Sequence, residues 1–234
     1  MNKTVYEIMH RNRKVAKIDE TGFSKVYYKS FMPYNLYLEE EEDIDTLVSN
    51  VTNFNYWCAT RVLTLDRTYA KEILNSIGMT QAVTDKERAK IALSYRCASL
   101  TDPFWVRKKG EKVSFEEVNL YENHLENTFI DIALRGRQYT VDNANLAKDL
   151  STNGCFPKAW KRVENGFVLL KDGGIETVER ELLASKICQC FDVSQVVYTE
   201  DVFDNEKVTR SEKYYIERVL YCFYGINGNI FSEP

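Results

Sequence analysis

The tightest constraint in this chain is the stretch 150–191, LSTNGCFPKAWKRVENGFVLLKDGGIETVERELLASKICQCF. Ser151-Thr152-Asn153-Gly154 is a cluster of turn formers. Lys158–Val163 then alternates as a strand, and Glu164-Asn165-Gly166 supplies hairpin chemistry, because Asn and Gly tolerate positive φ. Phe167-Val168-Leu169-Leu170 is a short apolar strand that ends on Lys171. Asp172-Gly173-Gly174 breaks it, after which Val178, Leu182, Leu183, Ile187 and Phe191 recur near helical spacing. A turn, two antiparallel strands and an amphipathic helix fold most simply as a sheet crossed by one helix. The same order puts a lysine at a strand end, with Glu179 and Glu181 on the helix that follows. A lysine oriented by a helix carboxylate is how a kinase N-lobe holds nucleotide phosphates.

Upstream the pattern differs. Residues 5–10, 14–18 and 23–28 read as three short strands, with Asn12 and Glu20-Thr21-Gly22 at the turns, which predicts a meander. The acidic run Glu39-Glu40-Glu41-Glu42-Asp43 precedes Ile44, Leu47, Val48 and Val51, so its plainest role is to complement a helix N-terminus. Tyr56, Trp57, Thr60 and Leu63 continue that helical face. Asp66 or Thr68 is a candidate cap for a second helix running to Ile77, with Gly78 as its stop. Thr84 or Asp85 opens a third helix that buries Ala89, Ile91, Ala92, Tyr95 and Cys97 or Ala98.

Pro103 interrupts any helix across 100–106, so Phe104-Trp105-Val106 reads as a short buried strand, with Trp105 as a packing hub. Residues 129–134 form a short helix, and the polar stretch 135–145 is the best linker. Domains 1–134 and 146–234 follow from it. Toward the C-terminus, 194–198 and 208–213 read as strands around a charged turn at 201–207. Tyr215, Ile216, Val219, Leu220 and Phe223 then recur at helical spacing within 214–224.

The fold class is therefore α+β: an N-terminal β-meander, a helical middle region, and a C-terminal antiparallel sheet with one crossing helix. A hydrophobic fraction of 44% supports a packed core rather than disorder. A net charge of −4 argues against a general nucleic-acid binder. Arg61, Arg67, Lys71, Lys86, Arg88, Lys90 and Arg96 mark the helical region as a place to look for a DNA reader. However, acidic residues interleave with them, and no helix opens with base-reading side chains. The polar, mixed N-terminus has no secretory segment, and no apolar run is long enough for a membrane span. The six cysteines then read as reduced and mostly buried thiols of a cytoplasmic protein. Cys188 and Cys190 are too close for a zinc pair, and His10 and His124 have no ligand or triad spacing around them.

The 150–191 stretch carries a Ser/Gly turn, a K-x-W strand, an NG hairpin, an apolar strand ending in Lys171 and a helix of the form x-E-x-x-A-S. With these, SLTDPFWV at 99–106 and FEEVNLY at 115–121 resemble the HipA-like serine/threonine kinases, in a branch common in Firmicutes and mobile elements. Tyr6-Glu7-Ile8-Met9-His10 with Arg13-Lys14-Val15-Ala16, and the segment from Trp57 to Arg61, extend the resemblance over roughly residues 5–200. The resemblance implies a kinase-N-lobe-like region in which Lys171, oriented by Glu181, and the Ser151, Thr152, Asn153 and Gly154 turn contact ATP and Mg. In that family the catalytic Asp, its Asn partner and the metal-binding Asp lie in a C-lobe well beyond the lysine strand. Here 63 residues follow Lys171, and none is a histidine. Asp201-Val202-Phe203-Asp204-Asn205, the nearest imitation of that lobe, reads as a hairpin turn. The expectation is an N-terminal kinase half, catalytically silent by itself, that needs a C-lobe from elsewhere. The alternative is a non-enzymatic phage or mobile-element protein that binds and regulates a host protein, with acidic surface around 39–43 and 116–126.

Overall fold

The computed structural model describes residues 3–63, 65–76, 83–100, 102–120, 127–136, 154–164, 166–191 and 195–212. The fold is α+β. An N-terminal four-stranded antiparallel sheet is followed by a helical middle and a second four-stranded antiparallel sheet carrying a packed helix.

Strands β1 (Val5–His10), β2 (Arg13–Asp19) and β3 (Ser24–Val26) form the predicted meander. The fourth strand, β4 (Phe104–Lys108), arrives from far along the chain and pairs antiparallel with β1, giving the order β3-β2-β1-β4. Alternation sends Ile8, Ala16, Ile18 and Val106 into the core. Gly22 closes the β2–β3 turn at positive φ, where a side chain would collide with the Leu47 carbonyl of the helix that follows. Only glycine lets the helix approach that turn so closely.

Helix α1 (Ile44–Ala59) begins at Asp43, whose carboxylate accepts from the Thr46 amide at 3.0 Å. Glu40 also turns inward, accepting from the Val26 amide at 2.9 Å. These carboxylates therefore satisfy backbone donors at a helix start and a strand edge. Helix α3 (Asp85–Ser94) opens with a capping box built on Thr84 and Glu87. Helix α2 (Ala70–Ser76) departs from expectation at Thr68, whose hydroxyl bonds elsewhere. The Thr68 amide and hydroxyl both bond the Cys155 carbonyl, tying this loop to the C-terminal part, and Tyr69 takes the strained φ of 64°. Residues 77–82, with the expected stop at Gly78, lie outside the described residues.

The short helix α4 (Phe115–Val118) and then α5 (Asn127–Arg135) lead to the second sheet. Its strands are β5 (Lys158–Val163), β6 (Gly166–Lys171), β7 (Tyr198–Phe203) and β8 (Glu206–Glu212), in the order β5-β6-β8-β7. The last hairpin is longer than the sequence implied: 201–203 and 206–207 belong to strands, leaving a turn at Asp204 and Asn205 with φ of 53° and 63°. Positive φ at both residues matches the right-handed twist of a two-residue hairpin. Residues 195–197, expected as strand, precede β7. Of the expected linker at 135–145, Arg135 closes α5 and 137–145 lie outside the described residues, as does the expected helix at 214–224.

One buried cluster runs from Ile8 and Ile18, through Phe54, Trp57, Ile73 and Ile132, to Ala159, Val168, Leu170 and Val208. Burying each large side chain contributes about 1.5–3 kcal/mol. Trp105 is fully buried, and its indole donates to the Arg11 carbonyl at 2.8 Å, a tie to the β1–β2 turn rather than between the helical region and the C-terminal sheet. The cysteines correct the expectation of mostly buried thiols: Cys58 and Cys97 are buried, but Cys155, Cys188 and Cys190 are exposed, and all five are free. The last two lie on or just beyond α6 (Ile175–Cys188), on sides turned from the sheet.

Charge inside the fold is concentrated at Arg61. It is buried between α1 and β4, pairs with Asp102 and donates to the carbonyls of Cys97 and Phe104. Asp102 also accepts from the Phe104 amide at 2.9 Å. Removing Asp102 leaves a buried guanidinium without its counter-charge, so Asp102→Ala should lower stability by about 2 kcal/mol, read as a lower urea midpoint.

Candidate functional site

The second sheet has two differently made faces because side chains alternate along each strand. Ala159, Val168, Leu170 and Val208 face the core, alongside Ile130, Ile132 and Ala133 of α5. Phe167, Leu169 and Lys171 face the opposite way. On that side Phe167 packs with Ala98, Leu100 and Leu120, with Trp160 against them. Helix α6 crosses the same face, resting on it through Val178 and Ser185.

Asp172 positions the start of α6. It accepts from the Gly174 amide at 2.9 Å and pairs with Arg135 of α5, whose guanidinium also donates to the Phe203 carbonyl. The helix therefore leaves β6 at a fixed angle, and Glu181 arrives above Lys171. The distance from Lys171 Nζ to Glu181 Oε1 is 3.3 Å. The other oxygen, Oε2, accepts from the Thr209 hydroxyl at 2.8 Å, and Thr209 is fully buried directly across the sheet from Lys171. Glu181 is thus held at both oxygens, whereas Glu179 points to solvent.

Tyr198, the first residue of β7, completes the group. Its hydroxyl accepts from Lys171 Nζ at 2.7 Å, and the ammonium lies 4.4 Å from the ring centroid. Burial works to depress the Lys171 pKa, but the Tyr198 hydroxyl and the Glu181 carboxylate outweigh it and raise the pKa above the ordinary 10.5. On the other side of Lys171, strand register places Lys158 directly opposite it. A Cβ at Gly154 would lie 2.5 Å from Lys158 Nζ, so the absence of a side chain there makes room for the ammonium. Gly154 is the one member of the expected phosphate turn that is described; Ser151, Thr152 and Asn153 lie outside the described residues.

The sequence pointed to Lys171 and Glu181 and missed Thr209 and Tyr198. Nothing local marks those two, because they come beside Lys171 through the pairing of β6 with β8 and of β8 with β7. The arrangement can hold an anion beside Lys171, with Glu181 keeping the ammonium in place. Among the described residues there is no group of three or more His, Cys, Asp or Glu side chains able to hold a metal ion.

The other candidates resolve into structural contacts. Four of the basic side chains in the helical region are used internally. Arg61 is described above, Arg67 donates to the Lys158 carbonyl, Arg88 donates to the Val62 carbonyl, and Arg96 pairs with Glu111. In the acidic stretch near 116, Glu116 accepts from the Asn12 side chain and Glu117 from the Ser114 amide. His10 sits edge-on to Phe31 and Phe104, its pKa lowered by burial and by Arg11 and Arg13, so it is neutral at physiological pH. His124 lies outside the described residues. No helix among the described residues is long and apolar enough to cross a membrane. In comparisons with known proteins, no family model, curated protein or solved structure matches the chain.

Because the folded-state pKa of Lys171 is raised, its contribution to stability is fully present below pH 10.5 and is lost as pH rises through the folded value. Urea unfolding across the alkaline range should show a steeper loss for the wild type than for Lys171→Met. Equal slopes would show that the ammonium contributes nothing.

Proposed function

We propose that the chain is a HipA-like kinase-related protein, the N-terminal half of such a kinase, whose C-terminal sheet contacts the phosphates of ATP. The observation that carries this reading is the lysine at the end of β6 held by a carboxylate of the following helix, 3.3 Å away. The carboxylate is buttressed from the sheet by Thr209. On this reading Lys171 bonds a phosphate oxygen, Glu181 orients it, and the backbone of the 151–154 turn supplies further donors. Mg accompanies the nucleotide, neutralising charge between its phosphates. Phosphoryl transfer also needs a carboxylate on the metal and a group that orients the nucleophile, neither of which is assigned here. In the kinases that the chain resembles, those groups lie in a C-lobe well beyond the lysine strand. The setting is cytoplasmic, in keeping with three exposed free thiols.

A second reading is a non-enzymatic phage or mobile-element protein that binds and regulates a host protein. Its support is the outer side of α6, where Leu183, Ile187 and Phe191 are all more than half exposed. The two readings separate on nucleotide, because only the first requires an ATP effect that depends on Lys171.

Thermal unfolding with and without Mg–ATP tests this on the wild type and on Lys171→Ala, with Glu181→Gln as a milder second variant. Ligand at about 100 times its dissociation constant adds roughly 2.7 kcal/mol to the folded state, a visible rise in midpoint. The rise should be present in the wild type, absent in Lys171→Ala and reduced in Glu181→Gln. A wild-type midpoint unmoved by Mg–ATP rules out the nucleotide site.

A further inference from the structure

The two partners of Lys171 are held very differently. Glu181 is fixed from behind, one oxygen on Lys171 and the other on the fully buried Thr209 hydroxyl. Among the described residues, Tyr198 is held through its backbone and by Lys171 itself. Its amide donates to the buried Ser185 hydroxyl of α6 at 2.9 Å, and β7 pairs it with Ser211 of β8. Its phenol oxygen has one partner among the described residues, the Lys171 ammonium, and its ring lies against the same ammonium. The side chain can therefore rotate away without breaking any backbone bond of the sheet or any contact of Glu181.

We propose that Tyr198 is a gate on this site: its hydroxyl holds the place on the Lys171 ammonium that a phosphate oxygen takes, and nucleotide enters by displacing it. The inference rests on the phosphate-site reading given above. The exchange favours the phosphate because its anionic oxygen adds charge–charge attraction to a hydrogen bond that the hydroxyl makes only as a neutral acceptor. It still costs the 2.7 Å bond to Tyr198 and the ring's contact with the charge. With the gate closed, Lys171 is satisfied without ligand, and that contact lowers affinity for nucleotide by the equilibrium between the two positions of Tyr198. Tyr198 is a positioning residue whose effect reaches the ligand through Lys171.

Calorimetric titration with Mg–ATP tests the gate on the wild type, Tyr198→Phe, Tyr198→Leu and Lys171→Met, with circular dichroism confirming that each is folded. Tyr198→Phe removes the hydroxyl, and Tyr198→Leu removes the hydroxyl and the ring. Both should bind on the order of tenfold more tightly than the wild type, while Lys171→Met should lose binding. The second tyrosine variant keeps the test decisive if the first does not fold. If the wild type binds and the tyrosine variants bind equally or more weakly, the gate is overturned and Tyr198 merely orients Lys171, while the phosphate site stands. If no folded protein binds Mg–ATP, both the gate and the phosphate site are overturned.

Discussion

The two-residue period of β6 is the constraint on which the C-terminal part depends. Val168 and Leu170 go into the common core, and this forces Phe167, Leu169 and Lys171 onto the other face. A shift of one residue would bury the lysine among Ala159, Val208 and the side chains of α5, at a cost no available ion pair would offset. The apolar half of the strand therefore fixes where the charged half points. The side-chain hydrogen bonds across the sheet then refine a position already determined by burial.

Charge elsewhere follows the same economy. The chain has 31 basic and 35 acidic residues, yet several of those that looked like surface recognition groups are tied into the fold. Glu7, largely buried on the N-terminal sheet, receives both Lys14 and Arg107, and this pair of cations overcomes burial to lower its pKa. Arg135 joins α5 to the turn before α6 and to the β7–β8 hairpin. Such long side chains tie neighbouring elements together at their polar points, because a guanidinium can serve several carbonyls and a carboxylate at once. A negative net charge, summed over the chain, says little about such local arrangements.

What could be read from the sequence was what is encoded locally. The period-2 runs at 5–10 and 158–163, the helix opened at Thr84, and the helix after Gly174 all appear where expected. Errors arose where a distant partner decides. Thr68 looks like a cap but bonds Cys155, and β4 becomes the fourth strand of a sheet begun almost a hundred residues earlier. On α6 the expected stripe of Val178, Leu182, Leu183, Ile187 and Phe191 is fully buried only at Val178; Leu183, Ile187 and Phe191 are exposed, and Ser185 is the second buried residue. Hydrophobic spacing identifies a helix but leaves open which side the neighbouring sheet will take. The same limit applies to the site: Lys171 and Glu181 lie ten residues apart and form a recognisable pair, whereas Thr209 and Tyr198 are selected by strand order alone.

The setting of Arg61 has a consequence for how the N-terminal part comes together. Its guanidinium is satisfied by groups from 97, 102 and 104, which belong to the far side of the helical region and the start of β4. Until those segments arrive, the arginine remains in water and the end of α1 cannot close over it. Once they arrive, pairing of β4 with β1 closes the chain between them, helices at 44–94 included, into one loop. Pulling β4 off the sheet exposes that charge, so β4 and the end of α1 should exchange their amide protons together rather than fraying separately.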